Sequence, residues 1–296
     1  MAETDHFHVE NLFNLQKTVA VVTGGGTGIG LMATQALAAN GARVYITGRR
    51  AEVLEKAAKE HSPQSKSNPK LNGEIIPIGN IDVTSKDDLE KLVKQIEAKE
   101  KFVSVVVAAA GISGPKEDHP DTSDAKELKE KLWKSEGIQE WADTYSTDVT
   151  SVYFTTVAFL PLLQAAPESH KPSVIVISSM SGIMRDSQSH FSYNAAKAGT
   201  AHLSKMMSKE FAKLDVRINS IAPGYFPSEM TMKDSDDKNK SHMPDEKVKD
   251  KGHEVPAGRA GGEDEMGQLV ILLTKCGYIN GQVVAIDGGV LNEVGA

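Results

Sequence analysis

The sequence predicts an α/β fold, a single doubly wound domain with a seven-stranded parallel sheet flanked by helices. Short β-branched runs alternate with segments of helical spacing along the 296 residues. The runs are almost continuously apolar, as expected for strands buried on both faces of a parallel sheet. No internal repeat or linker interrupts the pattern, so residues 1–296 are predicted to form a single domain.

The predicted elements follow in regular order. The strands are residues 19–22, 44–47, 75–83, 103–109, 174–178, 216–221 and 283–286. A helix after the first strand stops at Asn40-Gly41, and a second begins at the capping box Ser85-x-x-Asp88. Further helices are expected near 140–165, 193–213 and 263–275.

Two charged insertions, at about 115–140 and 231–254, break this rhythm. Solvated surface is the simpler interpretation of their charges. Each nevertheless follows the carboxyl end of a predicted strand, where open α/β sheets bind ligands. Because residues 225–258 have little apolar periodicity, we expect them to bury little surface and to form a mobile lid that orders over a bound ligand.

Composition excludes several classes of protein. The net charge of −7 gives no general attraction to nucleic acid. No stretch reaches the roughly 18 apolar residues of a membrane span, and no His/Cys/Asp/Glu cluster predicts a metal site. Cys276 is the single cysteine and the N-terminus does not resemble a signal peptide, so a cytoplasmic location is predicted. The expected partner is a small molecule.

A glycine-rich segment, TGGGTGIG at 23–30, lies between the first strand and its helix. Glycines permit positive φ and close approach of a pyrophosphate, and the helix N-terminus offers free N–H groups. This context predicts the nucleotide-binding turn of a Rossmann domain. The cofactor-binding residues predicted here are Gly24, Gly26, Thr27, Gly28, Ile29 and Gly30.

The end of the second strand indicates which nucleotide binds. An acidic residue there would bind the ribose 2′-hydroxyl of NAD, but the sequence places Arg49 and Arg50 after Thr47-Gly48. Arginine suits a 2′-phosphate, so NADP is favoured over NAD. The alternative is that both arginines merely open the next helix. Asp82-Val83 is predicted to lie near the adenine, with a turn-capping role for Asp82 left open.

A phenol and an ammonium share one helical face, because Tyr193 and Lys197 are four residues apart. A nearby cation favours the phenolate and lowers the pKa of a tyrosine from about 10. Ser179 ends a predicted strand and offers a hydroxyl to a carbonyl oxygen. Together with the glycine-rich turn, these three residues predict acid–base chemistry beside a dinucleotide.

With these motifs in order, the chain resembles the short-chain dehydrogenase/reductase family. The resemblance runs from about residue 12 to the end. Its opening Asn-Leu-Phe and its Gly-Arg-Arg are similar to the branch of 3-oxoacyl reductases and polyol dehydrogenases. The matching motifs are TGGGTGIG, Asp82-Val83, Ala110-Gly111, Ser179, Tyr193 with Lys197, Asn219 with Pro223-Gly224, and Asp287-Gly288-Gly289.

The resemblance implies hydride transfer between NADP(H) and a ketone or secondary alcohol. Tyr193 would be the general acid or base, Lys197 would bind the nicotinamide ribose, and Ser179 would orient the substrate oxygen. It also implies a homo-oligomer, a tetramer or dimer. Further cofactor contacts are expected from Ala109, Ala110, Gly111, Pro223, Gly224, Phe226 and Ser228.

Three positions depart from the family pattern. Ala108 and Ala109 replace asparagines after the fourth strand, and the interval from Ser179 to Tyr193 is one residue longer than usual. Asp148 aligns with the family's fourth catalytic residue, an asparagine. Aspartate can keep the backbone role of that residue, place a charge beside Lys197, be protonated, point to solvent, or act as a base. The competing hypothesis is therefore a dinucleotide-binding protein without redox turnover.

Overall fold

The computed structural model describes residues 4–63, 73–116, 122–249 and 255–295. Parts of the two predicted insertions, 117–121 and 250–254, lie outside the described residues. Seven parallel strands form one sheet in the order β3-β2-β1-β4-β5-β6-β7, which confirms the predicted sheet. The strands are β1 (Val19–Thr23), β2 (Arg43–Thr47), β3 (Glu74–Ile78), β4 (Val105–Ala108), β5 (Ser173–Ile177), β6 (Arg217–Pro223) and β7 (Val283–Ile286).

Helices cover both faces of the sheet. They are α1 (Val9–Leu12), α2 (Gly28–Ala39), α3 (Ala51–His61), α4 (Lys86–Glu97), α5 (Ala125–Ser135), α6 (Ile138–Tyr145), α7 (Ser151–Gln164), α8 (Phe191–Glu210), α9 (Glu229–Met232), α10 (Asp245–Lys249), α11 (Glu263–Lys275) and α12 (Val290–Val294). Short 3₁₀ turns lie at 5–7, 168–170, 180–182 and 211–214.

Two apolar cores hold these layers together. Alternate residues of β1 face opposite sides, since Ala20 and Val22 pack with α2 and α11, whereas Val19 and Val21 pack with α4 and α7. β1, β4, β5 and β6 are buried throughout, as the apolar runs predict. β7 is only partly buried because it forms the edge of the sheet.

Two predicted boundaries are wrong. The third strand ends at Ile78, not at residue 83, because Asn80 has φ +57° and the chain turns towards α4. The helix expected near 140–165 is divided by a π-helical turn over Ser146–Thr150, which joins α6 to α7. That turn contains Asp148, and such bulges in helices often occur at functional sites.

The strand order reverses between β1 and β4, since the chain moves outward to β3 before returning to the middle of the sheet. Ligands of open α/β sheets bind in the crevice at such a switch point, beyond the carboxyl ends of the strands. The glycine-rich turn after β1 and the segment after β4 border this crevice. The fold thus places the predicted cofactor site where the topology leaves an opening.

Candidate active site

A cavity of about 880 Å³ opens at the carboxyl ends of the strands. Every cofactor-binding residue predicted from the sequence lines it, and so do Ser179, Tyr193 and Lys197. Asp148 does not line the cavity and lies behind Lys197. Other lining residues were not predicted from the sequence, notably Glu229, Met230 and Thr231 of α9. The only signal that could have found them is that they directly follow Ser228.

The glycine-rich turn has the backbone geometry that a pyrophosphate site needs. Gly24 and Gly28 have φ of +66° and +51°, which favours glycine. A Cβ on Gly30 would lie 2.2 Å from the carbonyl oxygen of Gly24, so the first turn of α2 can close against the loop only with glycine there. The amino end of α2 therefore faces the cavity, and the turn fits a dinucleotide phosphate.

Thr23, at the end of β1, makes hydrogen bonds to the segment that follows β4, where Ala109 takes the place of a family asparagine. Its Oγ1 accepts hydrogen bonds from the backbone N–H groups of Ala109 and Ala110, at 3.2 Å each. These bonds tie β1 to the segment that follows β4. Ala109, Ala110 and Gly111 are thus held at the cavity wall without an asparagine side chain.

The adenosine end of the cavity carries both arginines that follow β2. Arg49 lies near Asp82, and Arg50 forms an ion pair of 2.6 Å with Glu229. Asp82 Oδ1 accepts hydrogen bonds from the N–H and the hydroxyl of Thr84, and these bonds, with Arg49 nearby, lower the pKa of Asp82. This geometry supports the turn-capping alternative for Asp82, although the residue also borders the cavity.

Tyr193 and Lys197 project from the first two turns of α8 towards the end of β5. Lys197 Nζ lies 5.5 Å from the centroid of the Tyr193 ring and donates a hydrogen bond of 3.2 Å to the carbonyl oxygen of Ile177. Ser179 follows β5, and its Oγ accepts a hydrogen bond from the N–H of Ser181. The three predicted catalytic residues therefore meet in one cavity.

The pKa of Tyr193 is set by opposing influences. Burial raises it most, Asp148 raises it further, and Lys197 and the Ser179 hydroxyl lower it; the net direction is upward from the ordinary value. Burial alone would lower the pKa of Lys197, but Asp148 and Tyr193 raise it, so the ammonium is retained. The phenol is therefore protonated at neutral pH and can donate a proton.

Asp148 is 1% exposed, so the alternative in which it points to solvent is wrong. Its Oδ2 lies 3.3 Å from Lys197 Nζ, and its Oδ1 accepts a hydrogen bond of 2.8 Å from the N–H of Ile112. Its backbone carbonyl oxygen accepts a hydrogen bond of 2.7 Å from the Thr200 hydroxyl. Gly111 passes so close that a Cβ there would lie 3.1 Å from Asp148 Oδ1. The carboxylate thus directly contacts the lysine that faces Tyr193.

We expect Asp148→Asn to shift the pH profile of turnover to lower pH by about one unit, because a nearby anion disfavours the phenolate. Asp148 raises the pKa of Tyr193, so removing its charge lowers that pKa. Proton donation by Tyr193 is then lost at a lower pH in reduction, and the phenolate forms at a lower pH in oxidation. Turnover rates measured across pH in both directions test this.

Asp87→Asn is the matched control, since Asp87 is exposed on α4 and does not line the cavity. This control variant should leave the midpoint of the pH profile of turnover unchanged. An unshifted profile in Asp148→Asn would contradict a charged Asp148. Complete loss of turnover would instead make its carboxylate a catalytic base.

The charged insertions are more firmly packed than the sequence predicts. After α5, Glu136 accepts hydrogen bonds from Trp141 Nε1 and from the hydroxyl of Ser192, next to Tyr193. In the second segment, Val248 is fully buried, and Asn239 Nδ2 donates to the carbonyl oxygens of Gly26 and Val53. Most described residues of 225–258 nevertheless stay at least partly exposed, as expected, and the mobility of this segment stays a prediction.

Comparison with known proteins gives the family. A family model described as short chain dehydrogenase matches residues 18–239. The chain belongs to the short-chain dehydrogenase/reductase family. It is 39% identical over 295 residues to the short-chain dehydrogenase/reductase PhomF′ of Diaporthe leptostromiformis, covering 95% of this chain and 94% of that protein. It is 32% identical over 278 residues to the 3-oxoacyl-[acyl-carrier-protein] reductase FabG of Chlamydia trachomatis, covering 93% and 98%.

Among solved structures, the Pseudomonas aeruginosa RhlG/NADP active-site complex superposes with a TM-score of 0.75 at 29% identity. The match covers 94% of this chain and 98% of that one. These matches confirm the resemblance to the family and to its 3-oxoacyl reductase branch. This short-chain dehydrogenase/reductase has an α/β fold, and no helix among its described residues is long and apolar enough to cross a membrane.

Proposed function

We propose that this short-chain dehydrogenase/reductase is an NADP-dependent enzyme that reduces a ketone or oxidises the corresponding secondary alcohol. The observation that carries the proposal is the meeting of Ser179, Tyr193 and Lys197 in the cavity that also contains the glycine-rich turn. A protein that only binds a dinucleotide has no need of a tyrosine, a lysine and a serine together at that place. The alternative without redox turnover is therefore disfavoured.

Two parts of the cavity fit NADP, namely the glycine-rich turn and the two arginines that follow β2. The glycine-rich turn leaves room for the pyrophosphate, and Arg49 and Arg50 offer guanidinium groups to a 2′-phosphate. Bound NADPH would supply the hydride, and the chain's own residues would position it and provide the proton. A TM-score of 0.75 to a complex of RhlG with NADP supports this choice of cofactor.

In reduction, Ser179 would donate a hydrogen bond to the substrate carbonyl oxygen, and Tyr193 would give its phenolic proton to the same oxygen as charge develops there. Lys197 would hold the nicotinamide ribose and favour the phenolate that remains. Asp148 would hold Lys197 in place and partly cancel the effect of its positive charge on the pKa of Tyr193. In oxidation the same groups would act in reverse, with Tyr193 accepting the proton of the alcohol.

A panel of carbonyl compounds with NADPH or NADH tests the proposal through the loss of nicotinamide absorbance. β-Keto thioesters and aliphatic ketones belong in the panel because of the likeness to 3-oxoacyl reductases. We expect consumption of NADPH, with a higher kcat/KM than for NADH. Binding of NADPH without consumption across the panel would favour the protein without turnover. A cytoplasmic location and a dimeric or tetrameric assembly stay predictions of the sequence.

A further inference from the structure

Arg50, which follows the second strand and was proposed to bind the cofactor, is paired with the carboxylate of Glu229. Arg50 Nη2 donates a hydrogen bond of 2.6 Å to Glu229 Oε2, and Arg50 Nη1 lies 3.4 Å from Glu229 Oε1. The same carboxylate accepts hydrogen bonds from the hydroxyls of Thr27, at 3.4 Å, and Ser235, at 3.1 Å. Glu229 therefore links the glycine-rich turn, the end of β2 and the segment after β6.

These contacts lie inside the candidate cofactor site. Thr27, Arg50 and Glu229 all line the large cavity. Burial would raise the pKa of Glu229, but Arg50 and the two hydroxyls outweigh burial and lower it, so the group is an anion at neutral pH. A carboxylate and a phosphate use the same two-pronged hydrogen bonding to a guanidinium. Glu229 and a 2′-phosphate are therefore competitors for Arg50.

We propose that Glu229 determines cofactor specificity in this enzyme by competing with the 2′-phosphate of NADP for Arg50. The inference rests on the proposed function. An incoming 2′-phosphate must displace or repel the carboxylate, whereas the 2′-hydroxyl of NAD leaves the ion pair intact. Glu229 thus weakens the preference for NADP that Arg49 and Arg50 create.

The position of Glu229 explains why the residues that directly follow the second strand do not by themselves determine the preference for NADP or NAD. The acidic residue that selects NAD is expected directly after the second strand, where this chain has arginines. In this chain the carboxylate that contacts Arg50 belongs to Glu229, which lies 179 positions further along the chain. The fold brings it there because α9 begins at Glu229 beside Gly28, and a Cβ on Gly28 would lie 2.9 Å from Ser228 Cβ.

The expected effect is moderate because the pair is partly exposed, at 54% for the Arg50 side chain and 29% for that of Glu229. The apparent affinity for NADP is reduced by the fraction of molecules in which Arg50 is free. For a partly exposed ion pair this corresponds to about a twofold to fivefold loss. Glu229→Gln keeps the shape of the side chain and removes its charge, so it should raise the affinity for NADP by the same factor.

Calorimetric titration of NADP⁺ and NAD⁺ into the wild type, Glu229→Gln and Glu263→Gln tests the proposal. Glu263 is the matched control, because it forms an ion pair of 2.7 Å with Lys240 of the same segment and does not line the large cavity. We expect Glu229→Gln to bind NADP⁺ about twofold to fivefold more tightly, with NAD⁺ affinity unchanged. Glu263→Gln should match the wild type for both cofactors.

Each other outcome contradicts the proposal in a recognisable way. Equal gains for NADP⁺ and NAD⁺ would mean that the variant merely loosens α9. An equal gain in Glu263→Gln would mean a general effect of charge, and an unchanged or weaker NADP⁺ affinity in Glu229→Gln would show no competition. In all these cases a wild type that prefers NADP⁺ leaves the proposed function standing. A wild type that prefers NAD⁺ would overturn the proposed NADP dependence, and it would overturn the competition as well only if Glu229→Gln also failed to gain affinity for NADP⁺.

Discussion

Replacing Tyr193 by phenylalanine should lower kcat by about 10²–10⁴-fold, the usual contribution of a positioned general acid. The substitution removes only the hydroxyl, so the ring beside Lys197 and the cavity are kept. Binding of NADPH should change little, because the residues proposed to hold its phosphates lie at the other end of the cavity. Steady-state kinetics together with cofactor titration separate these two effects.

Tyr225→Phe is the matched control for this experiment. Tyr225 is half-buried and follows Gly224 of the cavity wall, but it does not itself line the cavity. Burial raises its pKa to about 12, and its hydroxyl accepts a hydrogen bond from Gln188. Loss of one such neutral hydrogen bond should reduce kcat by no more than about fivefold. Full activity of Tyr193→Phe, or equal losses in both variants, would reject Tyr193 as the proton donor.

Arg49→Asp should weaken NADPH binding by about 10²–10³-fold, because it replaces a charge-assisted hydrogen bond by repulsion of the 2′-phosphate. Arg49 is exposed at the cavity and lies near Asp82, and among the described residues it forms no ion pair like that of Arg50 with Glu229. NADH affinity should change much less. Fluorescence titration with both cofactors measures the difference.

Lys56→Asp controls for the change of net charge near this end of the site. Lys56 is exposed on α3, the helix that follows the arginines, and it does not line the cavity. The charge changes by the same amount as in Arg49→Asp, so a general electrostatic effect would appear in both variants. An unaltered NADPH affinity in Arg49→Asp would mean that Arg49 does not bind the phosphate.

The strands and the glycine-rich turn could be predicted from the sequence because their signals are local. A run such as 19–22 is recognisable from its own residues, and Gly24 and Gly28 adopt the positive φ that such a turn requires. Tyr193 and Lys197 share a helical face through their spacing alone. The order of the motifs then indicated the family and its fold.

Contacts between distant parts of the chain could not be predicted in this way. Nothing in the sequence near Arg50 shows that Glu229 will reach it. A charge of Asp148 beside Lys197 is one of several alternatives, and only the structure shows the π-helical turn that directs its carboxylate there. Asn239 illustrates the same limit. It lies in a charged segment that suggests solvated surface, yet the residue is only 5% exposed and its amide donates a hydrogen bond to the carbonyl oxygen of Gly26 in the glycine-rich turn.

Transfer of deuterium from the nicotinamide to substrate is the most direct test of redox turnover at this site. NADPH deuterated at C4, on each face in turn, is incubated with a carbonyl compound that the panel shows to be reduced, and the alcohol is analysed by mass spectrometry. We predict that deuterium from one face appears on the carbinol carbon with the wild type, and that Tyr193→Phe forms this product about 10²–10⁴-fold more slowly. An alcohol that carries no deuterium from either face would contradict direct hydride transfer and, with it, the proposed function.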